Sequence, residues 1–230
     1  MKRLLLVALL LPWSIVTAAD NPAPTPAQLA APGSQVKLPG MIIRGGDHKS
    51  IEVEATVSLS NGILEFIAVE PGGRDYESLF TAHCKPSALQ FALLLIGCEP
   101  GALPRLAKNG EKPGDRLTLE VAWQQAGQTK RVPLETFLRQ RKDSKAARDL
   151  QWFFTGSYFT KSASGQGEVY MADSEQAHIA LWWNQAVLIN LGGDYGNPYQ
   201  ADDQGFEVNP TVVPPAKTPL TLIFRKATNP

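Results

Sequence analysis

The chain has 230 residues, 43% of them hydrophobic, and its 22 Lys and Arg residues balance its 22 Asp and Glu residues. This balance gives no basic surface of the kind that nucleic acids bind and no cationic face for a membrane surface, so we expect no nucleic-acid partner. The length and the hydrophobic fraction suit a single domain with a sizeable core.

The N-terminus has the three-part pattern of a signal peptide. Two basic residues precede an apolar stretch, Leu4–Val16, which Ala18 and Ala19 follow. This pattern predicts a signal peptide over residues 1–19 and a periplasmic or extracellular protein. The alternative is a membrane anchor, but a span needs about 20 apolar residues, and this stretch is shorter and contains a proline. No later apolar run is long enough to span a bilayer, so we expect no integral membrane span in the mature chain.

The next segment, residues 20–35, is rich in proline and alanine and shows no periodicity. This composition predicts an extended or flexible tether. We therefore expect one globular domain over residues 36–227.

The strand signals come from alternating residues and turn dipeptides. Ile51–Val57 alternates apolar and polar residues, the period of a half-buried strand. Asn61–Gly62 is a strong hairpin signal, and Ile63–Val69 is predicted to be the returning strand. Arg116–Trp123 also alternates, and Ala126–Gly127 is predicted to turn it into the next strand. Further strands are predicted over residues 76–82, 129–132, 150–154, 167–171, 179–183, 186–189 and 220–225.

One long helix is predicted over residues 86–96. Pro86 suits the first helical position, and Gly97 suits the residue after the last turn. The residues between them are apolar on nearly every side, so the helix should be buried. A second, short helix is predicted over residues 133–139. The predicted fold class is α+β, predominantly antiparallel β with one central buried helix (about 86–96) packed on the sheet.

Several segments resemble the YdjY-type domain, a family of exported bacterial proteins. The strongest resemblance lies in Gly72–Ser78, Lys85–Ala88 and Ala92–Gly101, and weaker matches follow at Trp152–Ser157, Met171–Asp173 and Pro214–Pro219. The resemblance implies an exported globular domain, and it brings no established activity with it.

Two carboxylates follow the glycine turn at residues 72–73. In an extended chain the side chains of Asp75 and Glu77 point to the same side, with Tyr76 opposite and Ser78 next to them. Neighbouring carboxylates can serve acid–base chemistry or hold a cation. The favoured alternative is that these side chains cap the turn and tie the strand to its neighbours.

Cys84 and Cys98 are the only cysteines. In an exported protein such a pair suggests a disulfide. The helix predicted between them is about 16 Å long, whereas a disulfide needs Cα atoms within about 7 Å. A disulfide is therefore disfavoured, and two buried free thiols are the alternative. A redox role is also disfavoured, because the chain has no Cys-x-x-Cys motif.

The histidines and tryptophans offer weaker signals. His48, His83 and His178 lack the spacing of metal ligands, so we expect no metal site, and we expect no cofactor. Trp182 and Trp183 are neighbours in a predicted strand and should face opposite sides. An exposed tryptophan would offer a platform for a sugar or a partner protein, and burial of both is the favoured alternative.

The chain contains no recognisable nucleophile, phosphate-loop or cofactor motif. We therefore expect a non-catalytic exported binding or assembly module, with an envelope protein or a glycan as its partner, and we predict no catalytic residues. Two alternatives are a hydrolase or lyase that uses Asp75, Glu77 and Ser78, and a redox-linked accessory protein that uses both cysteines. The candidate binding residues are Asp75, Tyr76, Glu77, Ser78, His83 and Trp183.

Overall fold

The computed structural model describes residues 23–201 and 203–228, and the predicted signal peptide lies outside these residues. The described chain consists mainly of short strands: β1 Gln35–Leu38, β2 Met41–Arg44, β3 Ser50–Val57, β4 Ile63–Leu64, β5 Phe66–Val69, β6 Ser78–Ala82, β7 Arg116–Gln125, β8 Gln128–Pro133, β9 Leu138–Gln140, β10 Trp152–Phe154, β11 Phe159–Lys161, β12 Glu168–Tyr170, β13 Ala177–Ala180, β14 Ile189–Leu191, β15 Phe206–Val208 and β16 Pro219–Lys226. The helices are α1 Pro86–Leu95 and α2 Met171–Glu175, with 3₁₀ turns at Pro26–Leu29, Asp75–Glu77, Pro104–Leu106 and Leu134–Phe137.

Local sequence patterns explain the longest strands. β3 buries every second residue from Ile51 to Val57, as its alternation predicts. β7 and β8 form an antiparallel hairpin, with Gln125 opposite Gln128. Both turn residues have positive φ, 50° at Ala126 and 76° at Gly127, which matches the twist of a two-residue hairpin.

Eight of the strands close into a barrel, in the order β3–β16–β7–β10–β14–β13–β5–β6, with β6 pairing back to β3. The closing pair is antiparallel and places Ala55 opposite Ala82 and Val57 opposite Phe80. The apolar side chains of these strands share one buried core, in which Phe80, Phe154 and Phe224 are almost wholly buried. The barrel therefore encloses its own core.

The predicted fold class is wrong in its arrangement, although the β-rich character is confirmed. The chain is only 14% helix, and it is not a sheet with a central helix packed on it. β6 and β16 both run antiparallel to β3, so they end at the same end of the barrel. Helix α1 follows β6 there, and Lys226 at the end of β16 donates a hydrogen bond to the carbonyl of Gly97 (3.0 Å). The helix thus spans that end, and its Leu89 and Leu93 side chains join the core.

The predicted hairpin at Asn61–Gly62 is also wrong. The residues after this turn do not pair with β3: Ile63–Leu64 pairs with β15, and Phe66–Val69 pairs with β13 and, in parallel, with β6. The chain bends at residues 60–62, but the partners of the following strands come from distant parts of the chain.

The segment before β1 makes contacts with the domain. Pro26–Leu29 forms a 3₁₀ turn, and the Leu29 side chain is fully buried. The Gly45 and Gly46 N–H groups donate to the carbonyls of Ser34 and Leu29, at 2.9 and 3.0 Å.

Among the described residues, no helix combines the length and the apolarity that a bilayer crossing requires.

Candidate functional site

The principal candidate site lies where the sheet forks at β3. One edge of β3 pairs first with β2 and then with β6, and these two strands meet end to end at Glu54. The Glu54 N–H donates to the carbonyl of Gly40 (2.9 Å), and the His83 N–H donates to the carbonyl of Glu54 (2.8 Å). A Cβ on Gly40 would lie 1.9 Å from the His83 oxygen, and φ at Gly40 is +70°. Only glycine therefore fits this junction.

A groove of about 680 Å³ opens at this fork, between the β1–β2 turn and helix α1. Its lining is mainly apolar, with a few polar groups: Leu38, Pro39, Glu70, Pro71, His83, Cys84, Lys85, Ser87, Ala88 and Phe91. A concave, largely apolar surface with a few convergent polar groups is the usual form of a ligand site.

Two charged side chains line the groove, Glu70 at the end of β5 and Lys85 before α1. Burial raises the pKa of the Glu70 carboxyl, Lys85 opposes this shift, and the Asp173 carboxylate adds to it. Asp173 in α2 accepts a hydrogen bond from the Ser87 N–H (2.8 Å). A carboxylate therefore already caps the first turn of α1.

A buried histidine lies beside Cys84, which is one of the residues that line the groove. His178 is fully buried, and its Nε2 lies 2.9 Å from the Cys84 carbonyl oxygen and 3.7 Å from the Cys84 sulfur. The carbonyl can only accept a hydrogen bond, so Nε2 carries the proton and cannot take one from the thiol. Burial lowers the pKa of His178 to about 4 and raises that of Cys84 to about 12. The pair is therefore neutral, and it ties β13 to the loop before α1.

Cys98 does not join this pair. Both cysteines are buried and free. Burial also raises the pKa of the Cys98 thiol to about 12. Neither sulfur carries the thiolate character that redox chemistry requires.

A second cluster surrounds Arg74, which lies over the ring of Phe66 at 4.2 Å from its centroid. The Arg74 guanidinium approaches three carboxylates: Glu65 at 3.4 Å, Glu77 at 3.6 Å and Glu175 at 2.9 Å. Glu65 is only 7% exposed. Burial and then the Glu77 charge raise the pKa of Glu65 to about 6, with Arg74 opposing. Desolvation thus holds the pKa of this carboxyl above its ordinary value.

Two exposed tyrosines border this second cluster. The Tyr199 hydroxyl donates to Glu77 Oε2 (3.2 Å), and burial and the Glu77 charge raise the Tyr199 pKa, with a smaller contribution from Tyr76. The side chains of Tyr76 and Tyr199 are 70% and 60% exposed. This surface, defined by Glu65, Arg74, Tyr76, Glu77 and Tyr199, is called the tyrosine face below.

An arginine holds the loop that carries Tyr199. One terminal nitrogen of Arg141 donates to the carbonyls of Pro198, Ala201 and Gln204, at 2.8, 3.1 and 3.0 Å. A charged donor shared by three carbonyls is a strong constraint on loop shape. Arg141 therefore positions Tyr199 against Glu77.

The polar residues predicted near the glycine turn do not converge on one cavity. Residues 75–77 form a 3₁₀ turn, so the expected extended geometry is wrong and side chains two positions apart diverge. Asp75 and Tyr76 line a separate cavity of about 360 Å³. Ser78 is fully buried and donates to the carbonyl of Arg74 (2.6 Å), whereas Glu77 meets the Arg74 side chain.

The other predicted binding residues are also apart. His83 is exposed and lines the groove. Trp183 is partly buried just beyond the end of β13, not within a strand. Sequence reasoning missed Glu65 and Glu70, although each is a lone carboxylate in or beside the apolar run 63–69. A charged residue in or next to an apolar run indicates a carboxylate that is partly removed from water, and this signal could have found both residues.

Comparison with known proteins identifies the family. A family model described as the YdjY domain matches residues 45–225, about four fifths of the 230-residue chain, and the chain therefore belongs to that family. No curated protein and no solved structure matches the chain.

Proposed function

We propose that this member of the YdjY domain family is an exported, non-catalytic binding module, and that its ligand enters the groove between the β1–β2 turn and α1. The observation that carries this proposal is the groove of about 680 Å³, with an apolar lining and with Glu70 and Lys85 as its charged groups. When an apolar ligand displaces water from the apolar surface of such a cleft, the free energy of binding becomes more favourable.

The geometry supports binding better than catalysis. Asp75, Glu77 and Ser78 point into different surroundings, which leaves no shared position for a reacting atom. The Cys84 thiol is protonated, and its histidine neighbour is already bonded to a carbonyl. A nucleophilic or redox mechanism would require the opposite arrangement.

The proposal is tested by filling the groove. Ala88→Trp places a large side chain in the lining, whereas Leu94→Trp adds the same side chain at an exposed position of the same helix. The neutral fluorescent probe N-phenyl-1-naphthylamine should bind to the wild type and to Leu94→Trp, and at least about tenfold more weakly to Ala88→Trp. Equal binding by both variants would show that the groove is not the site.

Export forms part of the proposal and rests on the signal-peptide pattern of residues 1–19. The protein recovered from the periplasm or the medium should begin at residue 19 or 20, as intact mass spectrometry would show. An intact Met1 on the mature protein would contradict cleavage.

A second candidate function is glycan binding at the tyrosine face. The supporting observation is the pair of exposed rings, Tyr76 and Tyr199, beside the carboxylate of Glu77. Rings can cover the apolar face of a sugar, while carboxylates accept bonds from its hydroxyls. Retention on immobilised peptidoglycan should fall in Tyr199→Ala and not in Phe159→Ala, which removes an aromatic ring that is 59% exposed elsewhere. Equal retention of both variants would count against this face.

A further inference from the structure

We infer that the groove selects a ligand that joins an apolar body to a positively charged nitrogen, an inference that rests on the groove being the binding site proposed above. The apolar body follows from the lining, in which Leu38, Pro39, Pro71, Ala88 and Phe91 supply carbon surface. The sign of the charge follows from the groups that surround this surface.

The groove lining contains one carboxylate, Glu70, and one ammonium, Lys85. A second carboxylate, Asp173, accepts a hydrogen bond from the N–H of the lining residue Ser87, and it raises the pKa of Glu70 while Lys85 lowers it. Among the described residues, neither Glu70 nor Lys85 has an opposite charge within ion-pair distance. The groove therefore presents a carboxylate that lacks a direct partner.

The two unpaired charges differ in their exposure to water. Lys85 is exposed, so an anion that bound to it would have to displace water from a well-hydrated ammonium. Glu70 is partly buried, and burial is the main cause of its raised pKa. Because Glu70 has already lost part of its hydration, a ligand cation gains more from it than an anion gains from Lys85.

The N-terminus of α1 does not reverse this preference. A free helix N-terminus attracts anions because its first N–H groups lack partners. Here the Ser87 N–H already donates to the Asp173 carboxylate at 2.8 Å. A ligand anion would have to compete with Asp173 for this N–H group, whereas a ligand cation would meet the Glu70 carboxylate in the lining.

Three probes with the same alkyl chain and different head groups separate the contribution of the apolar body to the affinity from that of the charge. Isothermal titration calorimetry at pH 7.5 would compare octylammonium, octanol and octanoate. The wild type should bind octylammonium about tenfold more tightly than octanoate, with octanol between them, as a charge-assisted hydrogen bond in a partly desolvated site predicts. Glu70→Gln should remove most of this preference, while octanol should still bind. The exposed, remote Glu111→Gln provides the matched control.

The outcomes distinguish the inferred preference for a cation from the proposal that the groove is a binding site. If octanol binds to the wild type and not to Ala88→Trp, but octylammonium and octanoate bind equally, the groove is a site without the inferred charge preference. Tighter binding of octanoate would also overturn the inference. If none of the three probes binds to the wild type, the proposed function fails as well.

Discussion

Replacing Glu65 with glutamine should remove a pH dependence that this buried carboxyl imposes on the stability of the fold. Glu65 lies between β4 and β5 and is 7% exposed. Its pKa is about 6 in the folded chain, compared with an ordinary value of 4.5. Burial is the main cause, the Glu77 charge adds to it, and Arg74 opposes both.

The sign and size of the effect follow from this shift. A carboxyl with a raised folded pKa binds its proton more readily in the folded state, so the fold gains stability as the pH falls through about 6 toward 4.5. A gap of about 1.5 pKa units corresponds to ~2 kcal/mol at about 1.4 kcal/mol per unit. Because Glu65 and Glu77 interact, this titration belongs to the pair.

Urea unfolding followed by tryptophan fluorescence at pH 4.5, 5.5, 6.5 and 7.5 measures the effect. The free energy of unfolding of the wild type, minus that of Glu65→Gln, should rise by ~2 kcal/mol from pH 7.5 to 4.5. The attraction between ionised Glu65 and Arg74 is already included in the Glu65 pKa of about 6 and adds no separate pH dependence. Glu99→Gln, at an exposed carboxylate, is the control. A difference that stays constant within about 0.5 kcal/mol, or falls at low pH, would refute the account of Glu65.

Three further predictions test other parts of the structure. Gly40→Ala should lower the free energy of unfolding by at least ~3 kcal/mol, because its Cβ would collide with the His83 carbonyl. Gly33→Ala, at a position with a similar φ and open space around it, should lower it by about 1 kcal/mol. Thermal unfolding compares the two variants, and equal losses would contradict the close approach at Gly40. Arg141→Met should speed proteolysis within residues 192–204 at least about tenfold because Arg141 donates to three loop carbonyls, and the exposed neighbour Lys142→Met should not; equal rates in the two variants would contradict this role of Arg141. Both cysteines should resist Ellman's reagent in the native state, since they are buried and burial raises both thiol pKa values to about 12. In guanidinium without reductant both should react fully. A disulfide-linked species of lower mass would contradict this prediction.

The sequence predicts elements whose signals are local. Three of these signals each lie within one element or one turn: the alternation in Ile51–Val57, the turn at Ala126–Gly127 and the apolar run after Pro86. The structure has β3, the β7–β8 hairpin and α1 at these positions. Such patterns depend on the periods of strand and helix, which act over a few residues.

Closure of the barrel depends on contacts that no local pattern encodes. The pairing of Val57 with Phe80 joins segments on either side of a turn that looks like a simple hairpin. In the closed barrel the inner face of the sheet surrounds a core that the strands themselves fill, and α1 lies at the end of the barrel. Strand partners separated by long stretches of chain are set by packing and register, which is why the predicted α+β arrangement failed.

The candidate site shows the same division. His83, a candidate binding residue on the sequence alone, lines the groove. Leu38 joins it because β2 and β6 meet at Glu54, and Glu70 joins it because β5 runs parallel to β6, with Val69 opposite Thr81. The environment of a carboxyl, and hence its pKa, depends on such tertiary contacts and cannot be obtained from residue order.

The most direct test of the groove as a ligand site is a titration of the ¹⁵N-labelled mature domain with octylammonium, followed by amide chemical shifts. Binding in the groove should give saturable shifts that centre on Leu38 and on residues 83–91, and the same residues should not shift in Ala88→Trp. Shifts that centre on the tyrosine face, or no saturable shifts at all, would contradict it.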